Sequence, residues 1–236
     1  MVFAMQDLPG EFTSFEFPPD VPAPELEAAR ASLGDDITRG FHGTTTVAFQ
    51  YEGGTVCCVD SRASLGTFVG SSAEKIIPIS KKVLGTMAGS AADCVSWLRL
   101  LSALSKLHEL NTDEPLSASE AARTLGSLLR RRRGDDYGVG TMVFDSDALY
   151  YVDGEGYELK GSAFAVGSGS VYAYPALRDT DGADAAAALE IAERAVATAA
   201  VRDAYSGGLL NLCVAEKGAE GWRRLLRRHA PVLLNT

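Results

Sequence analysis

Residues 41–60 of the chain read FHGTTTVAFQYEGGTVCCVD, and this stretch sets the first structural expectation. Two runs rich in β-branched and aromatic side chains, 44–51 (TTTVAFQY) and 55–60 (TVCCVD), flank Glu52-Gly53-Gly54. Such side chains fit a pleated sheet, and a short glycine-bearing break between two such runs predicts an antiparallel hairpin.

Upstream of the hairpin the composition is different. Residues 1–43 carry eight acidic side chains (Asp7, Glu11, Glu16, Asp20, Glu25, Glu27, Asp35, Asp36) against Arg30 and Arg39, so they hold −6 of the chain's formal −9. They also hold five of the nine prolines. Acidic, Pro-rich sequence has little to bury, so an extended arm over 1–43 and a folded domain over 44–236 are expected. With 236 residues, 46% hydrophobic and 22% charged, the chain has enough apolar sequence for a sizeable core in one large domain, or at most two small ones. The acidic balance argues against a nucleic-acid surface. No apolar run approaches the roughly 20 residues that span a bilayer, and residues 1–10 lack a basic n-region and an apolar h-region. Neither a membrane nor a secretory route is expected. Cys57, Cys58, Cys94 and Cys213 form no C-x-x-C pair, which signals neither zinc nor a disulfide framework and suits a reducing compartment.

Downstream, 82–89 (KVLGTMAG) predicts a strand ending in glycine. Val95, Leu98, Leu101, Leu104 and Leu107 then recur at spacings of three, the apolar stripe of a helix over 91–110. Ser117-Ala-Ser-Glu120 is a capping box that opens a second helix to about residue 133. Runs 139–144 and 148–152 predict another hairpin, 163–166 a strand into Gly167-Ser-Gly-Ser170, 183–201 an alanine-rich helix, and 207–215 and 222–226 two closing strands. Grouped strands and grouped helices point to α+β layers rather than an alternating parallel sheet.

Several apparent chemical signals have ordinary explanations. The run Arg130–Arg133 stands at a helix C-terminus, where cations complement the macrodipole. Gly167 and Gly169 are followed by no Gly-Lys-Ser/Thr, so no phosphate loop is formed. His108 and His229 have no partners at catalytic spacing, which leaves a Ser-His-Asp or Cys-His mechanism unsupported.

One series of motifs is more specific: His42-Gly-Thr-Thr-Thr46, Asp60-Ser-Arg62, Lys75 in SSAEKII, Gly85-Thr-Met-Ala-Gly89-Ser-Ala-Ala-Asp93-Cys94, Gly167-Ser-Gly-Ser-Val-Tyr-Ala-Tyr174 and Arg202-Asp-Ala-Tyr-Ser-Gly-Gly208. Over about residues 41–212 the chain resembles the 20S proteasome beta subunits, most closely the catalytic type-5, chymotrypsin-like kind. The resemblance implies a four-layer αββα N-terminal-nucleophile hydrolase sandwich, with two antiparallel sheets between helical layers. It implies a threonine protease whose nucleophile, Thr44, is freed when the Gly43–Thr44 bond is cut. A free N-terminal amine has an unperturbed pKa of about 7.7–8.0, so it can act as the base that a threonine hydroxyl needs, without a histidine.

Residue by residue, the resemblance assigns Lys75 as the cation beside that amine and Asp60 as its carboxylate partner, with Arg62 at the same strand end. Gly89 supplies an oxyanion N–H, and Ser168, Asp203 and Ser206 orient the threonine amine. Ala63, Met87 and Ala91 match pocket positions that accept large apolar side chains, Ala73 and Ile77 line the same wall, and Ser64 clamps substrate through its backbone. The departures are serine rather than threonine at Ser64, one residue fewer between Ser64 and Lys75, a shorter loop at 145–147, and an unmatched tail (RRLLRR) over 223–228. The implied partners are other alpha and beta subunits in stacked heptameric rings and unfolded polypeptide substrates, in cytoplasm and nucleus. No cofactor or metal is implied. Two alternatives stand beside this reading. A non-catalytic structural ring subunit would lack the threonine, the lysine or the processing glycine. A stand-alone N-terminal-nucleophile amidohydrolase would be small by gel filtration.

Overall fold

The expected hairpin forms at β1 (Thr46–Tyr51) and β2 (Gly54–Val59), paired antiparallel with Thr46 opposite Val59 and Tyr51 opposite Gly54. The structure is a computed structural model that describes residues 43–65, 68–70, 73–135 and 137–229. The acidic arm therefore lies outside the described residues, apart from Gly43.

Two antiparallel sheets are built around this hairpin. The remaining strands are β3 (Ala63–Leu65), β4 (Phe68–Gly70), β5 (Ile76–Pro78), β6 (Leu84–Thr86), β7 (Ala88–Gly89), β8 (Val139–Phe144), β9 (Leu149–Asp153), β10 (Glu158–Lys160), β11 (Ala163–Val166), β12 (Leu209–Glu216) and β13 (Trp222–His229). One sheet runs β11-β1-β2-β12-β13. The other runs β10-β9-β8-β6-β5, with β7 also on β8, and β3 and β4 form a separate ribbon. The helices are α1 (Ala91–Thr112), α2 (Ala118–Arg131), the single-turn α3 (Ser170–Ala173) and α4 (Ala185–Arg202).

Three apolar clusters show how the layers stack. Val47, Phe49, Val56 and Cys58 from the first sheet pack with Leu210, Leu212 and the α4 alanines. Ala48, Cys57, Val59 and Cys213 face Ile76, Leu84, Met142 and Phe144 across the gap between the sheets. Leu98, Leu101, Leu125 and Leu129 of α1 and α2 cover the outer face of the second sheet. The order is helices, sheet, sheet, helix, the αββα sandwich. All six residues of β2 and all six of β8 are buried. Sheets covered on both faces carry continuous apolar strands rather than an apolar–polar alternation, as TVCCV and VGTMVF do.

The helices differ in detail from the sequence expectation. The buried face of α1 runs through Cys94, Trp97, Leu98, Leu101 and Ser105, while Leu104 and Leu107 are only half-buried. A strict spacing of three drifts around a helix of 3.6 residues per turn, so such a stripe cannot stay on the core side. The capping box forms as predicted: Ser117 Oγ accepts from Glu120 N–H at 3.3 Å and a Glu120 carboxylate oxygen accepts from Ser117 N–H at 2.9 Å. The arginine run at the end of α2 braces the β9–β10 turn: Arg130 donates to the Gly156 carbonyl and to Glu158, and Arg133 pairs with Glu155 at 3.0 Å and lies over the Tyr157 ring. The expected strand over 82–89 is two, β6 and β7, interrupted at Met87, whose N–H turns to the Lys75 carbonyl at 3.0 Å.

Candidate active site

Asp60 leaves the end of β2 and is fully buried. Its Oδ1 accepts from Thr45 N–H at 2.9 Å and from Lys75 Nζ at 2.6 Å. Its Oδ2 accepts from Gly207 N–H at 2.8 Å and Arg62 N–H at 3.2 Å. One carboxylate thus joins β1, β2, the segment before β5 and the loop before β12. Lys75, equally buried, also donates from Nζ to the Gly43 carbonyl oxygen at 3.0 Å. Loss of water pushes the Asp60 carboxyl up and the Lys75 ammonium down from their ordinary ranges, and their mutual attraction opposes both shifts.

Thr44 is buried two residues before β1, and its hydroxyl donates to the Gly43 carbonyl at 2.7 Å. The oxygen of the Gly43–Thr44 peptide therefore takes hydrogen bonds from both Thr44 Oγ1 and Lys75 Nζ. Gly43 has φ +119°, a conformation that glycine adopts readily and other residues rarely. A Cβ there would stand 2.5 Å from both Cβ and the carbonyl oxygen of Tyr205.

On the other side, Thr44 N–H donates to Ser168 Oγ at 3.3 Å, and Ser168 Oγ donates to Asp203 Oδ2 at 2.6 Å. Ser206 Oγ donates to the same Asp203 oxygen at 2.6 Å and shares a 2.7 Å hydrogen bond with Thr45 Oγ1. The network closes on itself through Thr45, whose N–H is on Asp60. The sequence motifs gave no sign of Thr45: in a run of three threonines its side chain looks like ordinary strand content, and only its full burial and two polar partners distinguish it.

A narrow cleft opens at Thr44, lined among the described residues by Gly43, Thr44, Arg62, Ala63, Lys75, Met87, Ala88, Gly89 and Ala91. The structure thus brings Ala63, Met87, Ala91 and Gly89 to the threonine. Ala73 and Ile77 stand outside that lining: Ala73 N–H donates to the Ser61 carbonyl at 2.9 Å, and Ile77 packs against the α1–α2 core. Ser64 lies in β3, opposite Val69 of β4. Among the described residues no group of three or more His, Cys, Asp and Glu side chains is arranged to hold a metal ion.

Chemically, the arrangement presents a hydroxyl beside a peptide carbonyl, a buried cation on the same oxygen, and an apolar cleft next to both. The family model described as "Proteasome subunit" matches residues 41–215. The chain is 46% identical over 191 residues to the Gallus gallus proteasome subunit beta type-5, covering 78% of this chain and 74% of that one. It is 40% identical over 205 residues to the probable proteasome subunit beta type-5 of Schizosaccharomyces pombe, covering 81% and 75%. Against the Canis lupus familiaris proteasome subunit beta type-8 it is 38% identical over 226 residues, covering 85% and 79%. Family model and relatives agree, and the chain belongs to the proteasome subunit family, as a beta subunit of the 20S core.

Proposed function

We propose that this subunit is a threonine endopeptidase that cleaves after large hydrophobic residues and is activated by autolysis at Gly43–Thr44. The observation that carries the reading is the Gly43 carbonyl oxygen held at 2.7 Å by Thr44 Oγ1 and at 3.0 Å by Lys75 Nζ. Attack of Oγ1 on that carbonyl carbon forms a C–O bond and breaks the C–N bond, with the hydroxyl proton ending on the departing Thr44 nitrogen. Water then hydrolyses the ester, releasing residues 1–43 as a propeptide and leaving Thr44 with a free amine. The Lys75 ammonium stabilises charge on the oxygen and is itself kept charged by Asp60.

In the mature site the Thr44 amine serves as general base for its own hydroxyl, and Ser168, Asp203 and Ser206 orient it. The Gly89 N–H faces the oxyanion. Specificity follows from the cleft lining, since Ala63 leaves the mouth open and the flexible thioether of Met87 adapts to varied apolar shapes. The Ser64 backbone holds substrate in extended form. The subunit works beside other alpha and beta subunits in stacked heptameric rings, on unfolded polypeptides, in cytoplasm and nucleus.

The test is N-terminal sequencing and peptide hydrolysis of the assembled complex. Wild type is expected to start at Thr44 and to cleave after Phe, Tyr or Leu, whereas Thr44→Ala co-assembled with normal partners keeps residue 43 and does neither. Recovery of a Thr44→Ala chain beginning at residue 44 would show that another protease makes the cut.

A further inference from the structure

We infer that Asp93 is a positioning residue that fixes the Gly89 N–H through Gly138. The inference rests on the proposed function, in which that N–H receives the negative charge developing on the substrate oxygen. A backbone donor has no side chain of its own to aim it, so its placement depends on what its backbone leans against. Gly89 is the last residue of β7, opposite Val139, and has φ +99°. A Cβ at Gly89 would lie 2.2 Å from the Gly138 carbonyl oxygen, so the two backbones are in direct apposition.

Gly138 is in turn fastened to the first turn of α1. Its carbonyl accepts from Ser90 N–H at 2.7 Å and lies 3.9 Å from the Cys94 thiol, which also donates to the Ala88 carbonyl at 3.3 Å. Its N–H donates to Asp93 Oδ2 at 3.2 Å. Asp93 is held in place by its own N–H on Ser90 Oγ at 3.3 Å. One turn along, the Trp97 ring meets Tyr137 edge-on at 5.3 Å. The Asp93 carboxylate is thus the side chain that grips the Gly138 N–H, and it touches neither Thr44 nor the cleft lining.

Removing the acceptor leaves Gly138 held through its carbonyl alone and lets Gly89 shift. Loss of an oxyanion donor costs about 10²–10³ in kcat, so a displaced donor is expected to cost about tenfold in kcat with KM within about twofold. The assembled complex is compared as wild type, Asp93→Ala and Asp93→Asn, the last retaining an acceptor oxygen. Two quantities are read: kcat and KM on a peptide cleaved after a large apolar residue, and affinity for a peptide aldehyde whose adduct oxygen occupies the oxyanion position.

For Asp93→Ala, kcat and aldehyde affinity are expected to fall by the same factor at constant KM, with Asp93→Asn close to wild type. If Asp93→Ala does not assemble, Asp93→Glu, which displaces the acceptor by one methylene, takes its place with the same expected split. Unchanged kcat, a loss confined to KM, or Asp93→Asn as impaired as Asp93→Ala would overturn the role of Asp93 while leaving the peptidase assignment intact. An inactive wild-type subunit would instead overturn the assignment, and this inference with it.

Discussion

Thr45 and Ser206, 161 residues apart in the chain, share a 2.7 Å hydroxyl–hydroxyl hydrogen bond that ties the start of β1 to the loop after α4. Because Thr45 N–H is also on Asp60 and Ser206 is also on Asp203, this bond couples the two carboxylates on either side of Thr44. Thr45→Val keeps the shape and removes the hydroxyl. Ser206 keeps its hydrogen bond to Asp203, so the loss is that of one hydrogen bond, about 0.5–1.5 kcal/mol; the thermal midpoint of the assembled complex is expected to fall and kcat to drop with it. A Thr45→Val complex with wild-type stability and kcat would show that the coupling is idle.

Lys75→Met removes the cation from a carboxylate that has no exposure. Breaking one partner out of a buried pair costs about 3–5 kcal/mol. The double variant Lys75→Met/Asp60→Leu is expected to recover little, because the N–H groups of Thr45, Arg62 and Gly207 also end on Asp60. Thermal denaturation of the single and double variants decides this, and full recovery in the double would mean that those backbone donors find other acceptors. Intact mass is expected to show residues 1–43 retained in both.

Gly43→Ala acts through geometry alone. The added Cβ meets Tyr205 at 2.5 Å and φ +119° is strained for alanine, so the carbonyl leaves the Lys75 and Thr44 donors. Processing is expected to slow at least about tenfold, the rate equivalent of ~1.4 kcal/mol, followed by mass spectrometry of the assembling complex. Once the arm is removed, the mature Gly43→Ala enzyme is expected to match wild type in kcat, since residue 43 is gone.

Burial raises the Cys94 thiol from 9.0 to about 11. The folded state therefore keeps a proton that the unfolded chain gives up. This contribution to stability is fully present below about pH 9 and is lost as pH rises through 11. Two pH units at about 1.4 kcal/mol each put the loss on the order of 2–3 kcal/mol. Thermal midpoints of the assembled complex between pH 8 and 11 are expected to fall less steeply in Cys94→Ala than in wild type, the remaining slope coming from other groups that burial shifts, among them Cys57, Cys213, Tyr151 and Lys75. Equal slopes would contradict the assignment.

The parts of this fold that were legible in the sequence are those whose side chains report their own environment. TTTVAFQY and TVCCVD are β-rich enough to give the β1–β2 hairpin, and Ser117 with Glu120 marks the start of α2. The short strands β3, β4, β5 and β10, of three residues each, carry too few side chains to show a period and are fixed by their sheet neighbours. The Asp60–Lys75 pair was visible only by resemblance, because 15 residues and two strands, β3 and β4, separate its members. Thr45 and Asp93 stand within the motif strings yet show no role there for a related reason: a buried hydroxyl and a first-turn aspartate look ordinary until their distant partners, Ser206 and Gly138, are known.

The order β11-β1-β2-β12-β13 also has a consequence for how the molecule is made. During synthesis from the N-terminus, β2 emerges early with one edge open, and the strand that closes that edge, β12, is among the last to appear. Gly207, which completes the shell around Asp60, is 147 residues behind it. Pairings of such long sequence separation form slowly, and an open apolar edge invites association with other chains in the meantime. The carboxylate that holds Lys75 therefore gains its full set of donors only after Gly207 has been made. A nascent chain stalled before residue 207 carries Thr44, Lys75 and the Gly43–Thr44 bond, yet lacks the Gly207 N–H that completes the shell around Asp60.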